Sequence, residues 1–281
     1  MLHDRAVLVS LNISQPKLRA KDKAASTEIC DAKGASRSQA AVIKKLFAED
    51  DYRPISRIIA SIRNDVHYHM TAPWGQDGAR ILPSSAFIRY SERMREKEGQ
   101  FWLLVDEFVA NYADRLSKAA ALLGALHRDA DYPSPSAIRG EFGFSVSFAP
   151  VPVASDFRCQ GIDEAVKAEL DASMREQEAR ALRDAMTSLA KRITEAMRNA
   201  ASVLGKDKPK IHDSLVANIR ALADVIPDLN MGEDPVVEEV GNIIKDVFEN
   251  TSVEGLKNSP AERAEVVGQI DDIIARMSGL V

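Results

Sequence analysis

From Asp163 to the C-terminus, apolar residues recur every three or four positions, and this period constrains the fold more than any other feature of the chain. Leu182, Met186, Leu189, Ile193, Met197, Ala200 and Leu204 form a heptad-like seam on one helix. Ile211, Leu215, Ile219, Leu222 and Ile226 mark a second helix, and Val237, Val240, Ile244, Val247 and Phe248 a third. Val266, Ile270, Ile273, Ile274 and Met277 mark the last. Asp234-Pro235 starts the third helix, and Ser259-Pro260-Ala261-Glu262 has the form of a capping box with proline at its first helical position. Each helix has an apolar face to bury, so the spacing predicts a bundle of long amphipathic helices. The seam is longer than a small bundle needs, and part of it is expected to meet a second copy of the chain in a homo-oligomer.

The first 160 residues read differently. Val7, Val9, Leu11 and Ile13 alternate along a strand over Ala6–Ile13, and Phe142, Phe144, Val146 and Phe148 alternate along another. Each has one apolar face, so the two are expected to pair. Gln15 to Arg37 is polar, basic and without a stable period, and reads as a mobile arm or long loop. A short helix is expected over Ser38–Ala48. A second follows from Pro54, with Ile55, Ile58, Ile59, Ile62 and Val66 as its inward stripe. Asp77-Gly78 is placed to close a hairpin between Tyr68–Thr71 and Arg80–Leu82. The apolar positions from Phe87 to Leu126 then describe a long helix whose weak point is Gly99. The fold class is therefore mainly α with a small antiparallel β element. Its domains are an N-terminal α+β region over 1–160 and a helical region over 161–281, a boundary that one continuous domain could also contain.

Charge divides the chain in the same sense. Residues 1–100 carry 17 Lys+Arg against 12 Asp+Glu, whereas the remainder carries 20 against 30. No apolar run reaches the roughly 18 residues of a membrane span. The N-terminus reads as a strand and not as a signal peptide. Cys30 and Cys159 lie far apart and in no paired spacing, which fits a reducing compartment such as the bacterial cytoplasm.

Chemistry-bearing motifs are few. Gly205-Lys206 lacks the glycine spacing and the Ser/Thr of a phosphate loop, and there is no dinucleotide fingerprint or nucleophile elbow. His67-x-His69 would put two imidazoles on one face of a strand, with Asp65, Asp77 or His127 as a third ligand. That supports a metal-dependent enzyme only as a third choice; no metal and no cofactor are expected. The stronger pattern is cationic. Lys17, Arg19, Lys21, Lys23, Lys33, Arg37, Lys44 and Lys45, with Arg53, Arg57 and Arg63, suit phosphate contacts, while Tyr68, Trp74 and Arg80 could stack on or brace single-stranded bases. The plainer accounts are solvated helix faces for the cations and a lid over the core for Trp74.

Thr71-Ala72-Pro73-Trp74-Gly75, then Arg80-Ile81-Leu82-Pro83, Tyr132-Pro133, and Pro150-Val151-Pro152 with Asp156-Phe157-Arg158 follow one another in an order that resembles a family of tailed-phage and integrative-element proteins. That family is known as a domain of unknown function, and the resemblance covers roughly residues 1–230. It implies a genomic setting near recombination and replication genes, and near a MoxR-type AAA+ ATPase. It supplies no catalytic residue. The expected function is thus a non-enzymatic, oligomeric phage or mobile-element protein that binds nucleic acid, single-stranded DNA above all. The alternative is an adaptor or scaffold for an AAA+ ATPase.

Overall fold

The computed structural model describes residues 2–75, 78–153 and 163–279. The protein is mainly helical with a small antiparallel sheet. Its chain divides into two compact units, and the division is not a single cut near 160. The first unit holds residues 1–10, 67–90 and 147–281; the second holds 11–66 and 91–146.

In the first unit, strand β1 (Ala6–Ser14) begins beside β5 (Arg80–Pro83), in a register that sets Ala6 opposite Pro83 and Val9 opposite Arg80. β5 also pairs with the two-residue β4, Ala72–Pro73. The 71–82 hairpin therefore exists, but its first strand lies after Thr71; Tyr68 instead ends a π-helical segment, Ile62–Tyr68. Asp77 lies outside the described residues. The order of the sheet is β4-β5-β1-β6, with β6 running from Gly143 to Pro150, so the expected pairing of the two one-faced strands is present.

The rest of this unit is the helical bundle. The 41-residue α5 (Glu164–Leu204) is capped by Asp163, whose side chain accepts from the Ala165 amide. It packs against α6 (Asp213–Leu229) and α9 (Pro260–Met277); α7 (Pro235–Glu249) lies against α6 and α9, and the short α8 (Val253–Asn258) against α9. Leu189, Ile193, Met197, Ala200 and Leu204 are all buried. This half of the seam is covered by helices of its own unit and needs no second subunit to cover it. Asp234 caps α7 through the Val236 and Val237 amides, and Ser259 caps α9 through the Glu262 amide at 3.2 Å.

The second unit contains two departures from expectation. The polar stretch after Gln15 is not an arm: Arg19–Asp22 forms β2 and Lys23–Lys33 forms α1. The stretch after Ser38 is not a helix: Val42–Lys45 forms β3, antiparallel to β2. Both are short, four residues each, so neither supplies enough turns of alternation to stand out. α2 (Glu49–Ser61) starts with three carboxylates in its first turn, where the helix dipole favours them, and Pro54 lies inside it and not at its start. Its stripe of Ile55, Ile58, Ile59 and Ile62 is buried. α3 (Phe87–Ala110) runs through Gly99 and ends at Asn111, before α4 (Tyr112–Leu123). The Asn111 side-chain amide donates to the Glu107 carbonyl at 2.9 Å and so competes with the helix ladder there. Within this unit the core is aromatic: Phe108 lies 5.3 Å from Phe47, 5.5 Å from Tyr52 and 5.8 Å from Phe142, all edge-on.

No helix among the described residues is long and apolar enough to cross a membrane.

One glycine shows how tightly the bundle is built. Gly241, in the middle of α7, is where a Cβ would fall 2.9 Å from Cγ2 of Ile226 on α6. Helix propensity alone favours alanine there by about 1 kcal/mol. Ile226 is β-branched and stiff, so overpacking, which costs about 1–3 kcal/mol, should outweigh that gain. Gly241→Ala is expected to lower the urea unfolding midpoint. A raised midpoint would show that α6 and α7 can separate at little cost.

Candidate nucleic-acid interface

The β2–β3 ribbon sorts the cationic residues into two faces. Arg19 stands opposite Lys45, Ala20 opposite Lys44, Lys21 opposite Ile43 and Asp22 opposite Val42. Alternate residues of a strand point to opposite sides, so Arg19, Lys21, Ile43 and Lys45 share one face and Ala20, Asp22, Val42 and Lys44 the other. The first face is exposed, with Ile43 at 63%. The second is turned inward, and Lys44 is 4% exposed.

What holds the inward face is an ionic cluster. The Lys44 ammonium lies 2.6 Å from Asp131 and 3.4 Å from Asp22, and donates to the Leu126 carbonyl at 2.5 Å. Arg128 approaches Asp22 at 3.6 Å. Asp22 is also the cap of α1, accepting from the Ala25 amide at 3.0 Å. That amide, followed by Lys44 and Arg128, holds the Asp22 carboxyl below its ordinary range against the opposing cost of burial. Ser26, in the first turn of α1, donates to the Asp22 carbonyl and accepts from the Val42 amide at 2.9 Å, which ties helix and both strands together. Gly34 closes α1 in the left-handed conformation, φ 63°, and permits the turn back towards β3.

Beside the exposed face lies a groove of about 300 Å³. Arg19, Lys45 and Arg53 line it together with Glu49, and Phe47 and Tyr52 form its apolar floor. Lys45 pairs with Glu49 at 3.3 Å and Arg53 with Asp50, both at the surface, where such pairs contribute little. Arg53 and Arg57 are one turn apart on the exposed side of α2. Arg19, Lys21 and Arg57, with Lys17, Lys23, Lys33 and Arg63, are exposed, and among the described residues none of them has a carboxylate within 4 Å.

The fourteen residues marked out by sequence thus separate. Arg19, Lys21, Lys45 and Arg53 come together around ribbon and groove, and Arg57 continues the same helix face. Arg37 is paired with Asp31 at 2.9 Å, which raises its pKa. Lys44 is withdrawn from any surface: three oxygens hold it inside, so it is not a phosphate contact. Tyr68, Trp74 and Arg80 belong to the other unit. There Trp74 is 8% exposed, which fits a core side chain and leaves little ring for a base to stack on. Tyr68 is 47% exposed, with the Arg80 guanidinium 4.9 Å from its ring centre.

The histidine pair is not on a strand. His67 lies within the π-helical segment, is buried, and lies 2.8 Å through Nδ1 from the Tyr90 hydroxyl. His69 donates through Nε2 to the Ala221 carbonyl at 3.0 Å. Asp65 accepts from Ser61 at 2.7 Å, and His127 stacks on Tyr132. Among the described residues no three His, Cys, Asp or Glu side chains are grouped to hold a metal ion.

Comparison of the chain with models of protein families, with curated proteins and with solved structures returns no match.

The two faces of the ribbon predict opposite responses to the same substitution. Lys44→Met leaves Asp22 and Asp131 without their ammonium and is expected to lower the thermal midpoint clearly. Lys21→Met, on the exposed face, is expected to change stability by no more than about 0.5 kcal/mol. Equal effects in a thermal melt would contradict the assignment of faces.

Proposed function

We propose that this protein binds nucleic acid, single-stranded DNA in preference, through the exposed face of the β2–β3 ribbon and the groove beside it. The observation that carries this reading is the cross-strand pairing of Arg19 with Lys45. Like charges set directly opposite destabilise a sheet. Here they are joined on the same face by Lys21, and Arg19 and Lys21 have no carboxylate within 4 Å among the described residues. A phosphate chain supplies the missing negative charge. Ile43, 63% exposed on the same face, offers apolar contact to bases that are not paired, which favours single strands.

The four-residue ribbon is about 13 Å long at roughly 3.3 Å per residue, room for only a few nucleotides. Three to five phosphate contacts are expected, and with them a log–log salt slope of about −2 to −3.5 on a single strand. Fluorescence anisotropy of a labelled oligo-dT in a salt series measures it. Arg19→Ala with Lys21→Ala should reduce the slope by about 1.4, the share of two contacts. Arg57 tests the extension along α2: Arg57→Ala should remove about 0.7 more if the strand continues along that helix face. Wild-type protein that binds no oligonucleotide at low salt would overturn the reading and favour the AAA+ adaptor instead.

A further inference from the structure

A second concentration of positive charge lies in the first unit, where the nucleic-acid reading does not use it. Arg80, on β5, donates through Nε to the Thr71 hydroxyl at 2.6 Å and through Nη2 to the Thr71 carbonyl at 3.0 Å. Arg192, on α5, donates through Nη2 to the His69 carbonyl at 2.9 Å. The two guanidiniums thus grip carbonyls two residues apart on one turn, from a strand on one side and a helix on the other. Both are only part-exposed. Among the described residues neither has a carboxylate within 4 Å. Burial pulls both below their ordinary pKa range, and for Arg192 the charge of Arg80 adds to the effect.

Two like charges withdrawn from water cost free energy that backbone carbonyls offset only in part. A neutral donor would bond either carbonyl at a lower desolvation cost than the guanidinium that does so. Each guanidinium keeps further N–H groups beyond those it gives to the turn, and none is an orphaned donor in the interior. The exposed Tyr68 ring, 4.9 Å from Arg80, flanks the same place.

From these positions we infer that Arg80 and Arg192 form a binding site for a phosphate group, closed on one side by Tyr68. Two guanidiniums match the double charge of a phosphate monoester and can each offer paired N–H donors, which a single carboxylate would use only in part. The site belongs to the first unit and does not depend on the ribbon, which belongs to the second. The same chemistry is carried by free phosphate and by the 5′-phosphate end of a nucleic-acid strand.

The test uses the full chain and arginine-directed labelling with phenylglyoxal, followed by peptide mass spectrometry. Inorganic phosphate, at constant ionic strength against chloride, is expected to protect Arg80 and Arg192 while leaving exposed arginines outside the ribbon and groove, such as Arg95, labelled as before. A 5′-phosphorylated trinucleotide that protects both, when its 5′-hydroxyl counterpart does not, would assign the group to a strand end; protection by inorganic phosphate alone would assign it to the free ion. In calorimetry, Arg80→Lys and Arg192→Lys, which keep the charge but lose the fork, should each weaken phosphate binding about tenfold or more. Labelling of both arginines that is the same with and without phosphate would overturn the inference, as would binding that neither lysine variant changes.

Discussion

One buried ammonium fixes which side of the β2–β3 ribbon meets water. Lys44 reaches Asp131, Asp22 and the Leu126 carbonyl, and these oxygens are on the inner side. Because side chains alternate along a strand, turning Lys44 inward turns Ile43 and Lys45 outward, and the antiparallel register then turns Arg19 and Lys21 outward with them. A slip of one residue in β3 would turn Lys44 outward and leave Asp22 and Asp131 without its ammonium. The cluster is therefore better understood as specifying register than as adding stability, since desolvating Lys44 and Asp22 offsets much of what their attraction returns. Asp22 serves twice, as the partner of Lys44 and as the cap of α1, so helix, strands and the 126–131 turn are positioned by one carboxylate.

Much of the fold was legible in the sequence, and the reason is length. Helices of four or more turns repeat their apolar period often enough to be read directly, and α5, α6, α7 and α9 bury most of the residues their spacing marks, with Leu182, Met186, Leu215, Val247 and Ile274 half-buried at the margins. Ile55, Ile58, Ile59 and Ile62 do the same on α2. The nine-residue β1 and eight-residue β6 were long enough to show their alternation, and they are neighbours in the sheet. The ribbon was not legible. β2 and β3 have four residues each, their inner face contains a lysine and an aspartate, and their outer face contains an isoleucine. Such a pattern inverts the usual sense of inside and outside, and it becomes intelligible only once Asp131, more than eighty residues on, is in place beside Lys44.

The candidate site was legible in part for the same reason. Sequence could gather cations but could not sort a held lysine from a solvated one: Lys44 and Lys45 are adjacent, yet one is inside and the other lines the groove. Nor could it show that Tyr68, Trp74 and Arg80, contiguous with the basic stretch in the chain, belong to the other unit, with Trp74 buried there. Arg192 drew no attention, because a single arginine on a long amphipathic helix is ordinary; only its bond to the His69 carbonyl, beside Arg80, gives it meaning.

The proposed contact is between nucleic acid and the ribbon with its groove. Amide hydrogen exchange of the whole chain, with and without a saturating oligo-dT at low salt, locates the contact without any substitution. Slowed exchange is expected over residues 17–23 and 43–57, with the α6 and α7 amides unchanged. Protection confined to residues 163–279, with the ribbon exchanging at its free rate, would contradict it.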